Sequence, residues 1–236
     1  MAEAWRKHPS VQRLARVARL LGPLNARIVF IGGAIAPILQ AEPPFLSARV
    51  TKDVDGVAAT ASATDYAALQ DALRARGFRE AVTERHAHRW ISPDDSLLDL
   101  VSAGDHLGAS GRLWDRVAVE TAMDLEIEPG VSIGHASAPA FLALKWAAFS
   151  DRGKGDPLAS HDLEDILGVI ASRAKIVDEV RAAPNGVRDF VREWSTWLRE
   201  HRDLDDLLAS NLAHAANASA AMADTRARVS ALAVGG

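Results

Sequence analysis

The segment VTKDVDGVA, Val50 to Ala58, puts two aspartates inside a run that otherwise has the β-branched, apolar character of a buried strand. Side chains two positions apart on a strand leave the same face. Asp53 and Asp55 therefore project together, with Val54 packed on the other side. Carboxylates this close repel: one takes up a proton or the strand shifts, unless something compensates them. A divalent cation would remove the conflict, and Mg²⁺ favours carboxylate oxygens together with substrate phosphates. Asp99, in the apolar strand-like stretch SLLDLVS, is a third acid that is costly unless satisfied. If its strand lies beside that of Asp53 and Asp55, three carboxylates meet at one point. Such a set can hold two metal ions and drive an in-line phosphoryl displacement.

Upstream, Arg27 to Ile31 reads as a strand that ends at Gly32-Gly33 and opens into a short helix over Ala34 to Gln40, interrupted by Pro37. A glycine pair at a strand-to-helix turn lets backbone N–H groups approach a triphosphate with no side chain in the way.

The rest of the chain divides by pattern. Val11, Leu14, Val17, Leu20 and Leu21 have helical spacing over Pro9 to Leu21, and Arg13, Arg16 and Arg19 form a basic outer face. AEPPFLSA is a loop. Asp65 to Arg76 reads as a helix capped by Thr64 and ended at Gly77. Strands are expected over Phe78 to Thr83, Arg89 to Ile91 and Ser96 to Ser102, with SPDD as a hairpin-type turn. VSAGDHLGASG is a small-residue loop, and Arg116 to Ile127 and Val131 to His135 suggest two more strands around Pro129-Gly130. After Ser137 everything is helical: Pro139 to about Ser150, a helix capped by Ser160, Lys175 to Ala182, Val187 to His201, and alanine-rich Leu204 to Arg228 before a frayed ALAVGG. DRGKGDPLAS is the one long loop in this half. The expected class is α+β: a mixed sheet with flanking helices in residues 1–135, then a helical bundle in 136–236, the two packing around one cleft.

Bulk properties exclude several chemistries. The absence of cysteine rules out disulfides, zinc–thiolate sites and thiol nucleophiles. A net charge of −4 argues against a general nucleic-acid coat, which needs a large excess of Lys and Arg. The N-terminal MAEAWRKHPSVQRL lacks a signal peptide's apolar core, and no apolar run reaches membrane-spanning length. A cytoplasmic protein with no membrane partner is the expectation.

The order of these elements (strand, Gly-Gly, helix, Asp-x-Asp strand, third-Asp strand) resembles the polymerase-beta-like nucleotidyltransferase superfamily. More narrowly, FIGGAIAPIL…RVTKDVDGV is similar to the AbiEii/AbiGii toxin family, which often carries a T-x-D-x-D element after the glycine pair. In the helical half, FLALKWAAFSDRGKGD…SHDLEDIL resembles that family's succession of a lysine, an arginine and a D-x-x-D helix. The matching stretch runs over roughly residues 28–168. The resemblance implies that Gly32, Gly33 and Thr51 serve the nucleotide phosphates, that Asp53, Asp55 and Asp99 bind Mg²⁺, and that Lys145 and Arg152 hold the outer phosphates. Asp162 then orients Lys145 or the acceptor, with Asp156 and Asp165 as alternatives for that late-motif role. It further implies an NTP as co-substrate, a tRNA or other RNA as acceptor, and a separate antitoxin protein. The loop before Asp162 is longer than the family pattern, and Gly33 stands where a serine is frequent.

Two further readings remain open at this stage: a small-molecule, aminoglycoside-type nucleotidyltransferase, and a non-catalytic nucleotide-binding module. Taken alone, Lys145 among Leu142, Leu144, Trp146 and Phe149 reads as a lysine that snorkels to the surface. The basic stretch RARGFREAVTERHAHRW, with Arg79, Arg85, His86, His88 and Arg89, reads as a solvated helix end and hairpin or as an RNA-phosphate contact.

Overall fold

Pro9 opens the helix that the spacing predicts, over the predicted residues (α1, Pro9–Leu21), with the ring of His8 accepting from the Ser10 N–H at the N-cap. Val11, Leu14, Val17 and Leu21 are buried along one stripe. The structure, a computed structural model, describes residues 4–42, 48–81, 88–104, 113–152 and 156–235. Its contacts divide the chain into two units, Glu3–Pro37 with Val50–Ser137, and Ile38–Arg49 with Ala138–Gly236. The second thus takes in residues 38–49 as well as the helical C-terminal part.

The first unit is built on a seven-stranded mixed sheet. In chain order its elements are β1 (Ile28–Ile31), a short α2 (Ala36–Leu39) where the chain leaves the unit, β2 (Asp53–Ala58), α3 (Ala63–Ala75), β3 (Arg79–Glu80), β4 (Arg89–Ile91), β5 (Leu97–Ser102), α4 (Leu113–Glu120), β6 (Met123–Glu128) and β7 (Val131–His135). The spatial order is β3-β4-β5-β2-β1-β7-β6, with β2–β5 and β1–β7 parallel and the other neighbours antiparallel. Val54, Val57, Leu98, Leu100 and Phe30 are fully buried. The Tyr66 hydroxyl on α3 donates to the Leu100 carbonyl at 2.7 Å, tying that helix to β5.

Several elements differ from the expectation, each for a local reason. The Asp53 strand begins at Asp53, not Val50, because the Thr51 backbone is engaged by α1: its N–H donates to Ser10 Oγ at 3.0 Å and its carbonyl accepts from Arg13. The cap of α3 is Ser62, not Thr64; extended Ser62 accepts the Asp65 N–H at 3.1 Å. Residues Leu113–Glu120, expected as strand from Arg116 onward, form a helix that buries Trp114 and Ala118, four apart on one face. Its β-branched Val117 and Val119 mimic strand alternation. The small-residue loop at 105–112, Arg85 with His86, residues 43–47 of AEPPFLSA, 153–155 of the long loop, and the end of the strand expected to reach Thr83 lie outside the described residues.

The second unit is helical: α5 (Ala138–Asp151), α6 (His161–Ser172), α7 (Ile176–Ala182), α8 (Asn185–Glu200), α9 (Leu204–Leu212) and α10 (Ala218–Val234). Val187, Val191, Trp194 and Leu198 recur at helical spacing and are buried on α8. Trp194 stacks on Trp146 of α5, centroids 5.3 Å apart. Ser160 caps α6 as predicted, accepting from the Leu163 N–H. Arg228 closes the other end of α6 by donating to the Ile170 and Ala171 carbonyls at 2.8 and 2.6 Å. The long helix expected over Leu204 to Arg228 is two helices, broken before Asn217, whose side chain caps α10 through the Ala220 N–H. The tail expected to fray is helical to Val234 and ends on Gly235 in the left-handed conformation. Among the described residues, no helix is long and apolar enough to cross a membrane.

Candidate active site

The register of the sheet places the acids. Ile31 pairs with Asp55, Asp55 with Asp99, and Asp99 with Arg89, so one cross-strand row runs over β1, β2, β5 and β4. Paired residues on adjacent strands share a face, and Asp53 lies two residues along that face. The three carboxylates anticipated from the sequence are therefore neighbours, while Val54, Leu98 and Leu100 are buried on the opposite face.

Their charges are met by an arginine that the sequence reading left among the solvated basic residues. Arg89 donates from Nε to Asp99 Oδ1 at 2.8 Å and from Nη2 to Asp99 Oδ2 at 2.7 Å, a two-pronged pair, and from the same Nη2 to Asp53 Oδ2 at 3.0 Å. Its side chain is only 13% exposed. The hydrogen bonds to Asp99 raise the guanidinium above its ordinary pKa; burial opposes this, and the charges of Asp99, Asp53 and Asp55 reinforce it. Thr51 Oγ1 donates to Asp53 Oδ1 at 2.8 Å, so both Asp53 oxygens are engaged. Among the described residues, no group of three or more His, Asp or Glu side chains is drawn together closely enough to hold a metal ion as it stands.

The signal for Arg89 lay in the hairpin, but reading it needs the length of the turn to one residue. The turn that forms sets it: the Ser92 N–H donates to the Ser96 carbonyl at 2.9 Å across the three residues Pro93–Asp95, so Ile91 faces Leu97 and Arg89 faces Asp99, whereas a turn on SPDD itself would have set Arg89 against Leu98.

The two glycines have different reasons to be there. Gly32 has φ +68°, and a Cβ on it would lie 2.1 Å from Asp55 Oδ2; the carboxylate rests on the bare Cα. A Cβ on Gly33 would meet Thr51 at an ordinary 3.5 Å. Gly32→Ala is therefore expected to destabilise the fold by about 1–3 kcal/mol, from the left-handed backbone and the clash, and to push Asp55 aside. Thermal melting checks this with Gly33→Ala as the control; equal melting of both variants would contradict it.

The basic face of α1 is spent inside the unit. Arg13 holds the Thr51 carbonyl, and Arg16 and Arg19 lie 3.5 and 3.6 Å from Asp94 and Glu128. The latter two pairs are half-exposed and stabilise weakly.

In the helical unit, the lysine, arginine and D-x-x-D residues do come together. Lys145, 8% exposed on α5, points its Nζ between Asp162 Oδ1 at 3.3 Å and Asp165 Oδ2 at 2.5 Å. The Asp165 contact is a close ion pair whose angles lie outside those of a hydrogen bond. Arg152 reaches the other oxygen of Asp162 while remaining largely exposed. The two acids lie three apart on α6, hence on one face. Lys145 is thus a buried, paired cation and not a snorkelling one. Asp156 lies apart from this cluster as the cap of the turn at Pro157–Ala159, accepting from the Leu158 N–H. Beside Asp165 opens a cavity of about 460 Å³, lined among others by Gln40, Arg49, His161, Asn211 and His214.

No protein-family profile matches the chain, and no curated relative does. Among solved structures, the chain is similar to an antigenic nucleotidyltransferase-like protein from Paracoccidioides brasiliensis, at 18% identity and a TM-score of 0.47, over 90% of this chain and 91% of the other.

Proposed function

We propose that the protein is a nucleotidyltransferase that moves NMP from an NTP to an acceptor hydroxyl and releases pyrophosphate. The observation that carries the reading is the row on one sheet face, Asp55 beside Asp99 with Asp53 two residues along, next to Gly32 at the end of β1. The resemblance over residues 28–168 adds Mg²⁺ as the cofactor. The oxygen donors of Asp53, Asp55 and Asp99 are the type this ion takes, and these residues would hold it; bound there, it would neutralise the triphosphate and polarise the α-phosphorus.

The chain's own groups have distinct roles in this reading. Gly32 and Gly33 present backbone N–H groups to the phosphates, and Thr51 fixes the Asp53 carboxylate through its hydroxyl. Asp99 takes the proton of the acceptor hydroxyl as that oxygen bonds to the α-phosphorus and the bond to the pyrophosphate oxygen breaks. The assignment of Lys145 and Arg152 to the outer phosphates rests on the resemblance alone; within the helical unit, Asp162 and Asp165 hold the lysine. An RNA acceptor, tRNA included, and a toxin role answered by a separate antitoxin are the finer form of the proposal, and rest on the resemblance alone. A second reading, a nucleotide-binding module without transfer, is favoured by one observation: Arg89 already compensates Asp53 and Asp99.

Purified protein with Mg²⁺, each α-labelled NTP, and either cellular RNA or an aminoglycoside panel tests these readings. Label on RNA is the expected result. Label only on the aminoglycosides would turn the assignment to a small-molecule transferase. NTP bound with no label on any acceptor would leave the binding module.

A further inference from the structure

We propose that Arg89 is the resident cation of the acidic face, and that a divalent ion gains Asp53 only by displacing the guanidinium from it. The inference rests on the reading above, that this face takes a divalent cation. Three formal negative charges, on Asp53, Asp55 and Asp99, share the face with the positive charge of Arg89.

The contacts of Arg89 are unequal. Asp99 is held by two short, parallel hydrogen bonds at 2.8 and 2.7 Å, and Asp53 by one at 3.0 Å from an Nη2 that is already shared. A planar fork is most strongly held by the carboxylate that it meets in two places. The bond to Asp53 is the one that yields. Asp99 then anchors the arginine, and Asp53 turns its freed oxygen toward Asp55, on its own strand and face. Thr51 stays on the other Asp53 oxygen throughout and limits how far the carboxylate swings. Arg89 thereby positions two of the three acids and sets the affinity of the face for cations, because the arginine and the ion compete for one oxygen.

Mn²⁺ titration of the full chain without nucleotide, by calorimetry and by loss of the free-ion paramagnetic signal, reads this competition. Arg89→Gln is expected to bind Mn²⁺ about tenfold or more tightly than the native chain, since a competing positive charge is gone. Without metal it melts below the native chain, and Mn²⁺ restores much of the difference. Arg89→Lys, which keeps the charge but loses the fork, falls between the two. Equal Mn²⁺ affinities in all three chains, or a lowered melt that Mn²⁺ does not restore, would reduce Arg89 to a structural residue. That outcome alongside NMP transfer in the labelled-NTP assay would overturn this inference and leave the transferase standing. No Mn²⁺ binding by any of the three, with no transfer either, would overturn both.

Discussion

Asp53→Ala is expected to cut NMP transfer by about a thousandfold, the scale seen when one electrostatic partner of a transition state is deleted, while leaving the fold in place. The stability half of this expectation comes from the hydrogen-bond pattern. Asp53 is one-third exposed and contributes two bonds, one from Thr51 Oγ1 and one from Arg89 Nη2. When it is removed, Arg89 keeps both of its bonds to Asp99, so no buried cation is stranded. Mutual repulsion with Asp55 on the same face is also relieved. These opposing changes leave the melting temperature within a few degrees of the native value. Asp99→Ala makes the contrast: it strips two of the three bonds from an arginine that is only 13% exposed, and is expected to melt well below Asp53→Ala. Label transfer measured beside thermal melting separates the two functions. If Asp53→Ala melts as low as Asp99→Ala, then Asp53 belongs to the fold and its placement at the reacting centre is wrong.

The sheet acids were legible because strand periodicity is strict. Asp53 and Asp55 had to share a face, and the parallel pairing of β2 with β5 brought Asp99 beside Asp55. Arg89 was overlooked for a physical reason: a basic residue in a basic stretch looks solvated, and a one-residue difference in the turn decides whether it faces Leu98 or Asp99. The helix over Leu113–Glu120 was misread because Val117 and Val119 alternate as a strand would, whereas its buried pair is Trp114 and Ala118. The break between α9 and α10 was hidden by alanine, which continues a helical pattern through any register; only Asn217 marks the new start. Lys145 was ambiguous for a different reason. One apolar face cannot say whether a lysine reaches for water or for acids on another helix. Its partners, Asp162 and Asp165, lie on α6, across a loop whose length carries no information about contact.

Those partners make the second large effect. Lys145→Ala is expected to lower stability by about 3–5 kcal/mol, since breaking a buried ion pair leaves the remaining charge uncompensated. Here two acids are stranded, Asp162 at 4% and Asp165 at 3% exposure, and Arg152 can answer only for the first. Arg152→Ala, by contrast, removes a side chain that is 70% exposed and should cost little. The effect on ligand binding must therefore be read apart from the effect on the fold. Combining Lys145→Met with Asp165→Asn removes one positive and one negative charge together, and should recover much of the lost melting temperature. NTP affinity measured on that recovered chain then isolates the role of the lysine. Affinity that stays weak after stability returns means that Lys145 reaches the nucleotide; affinity that returns with the fold means that the lysine serves only to hold α5 to α6.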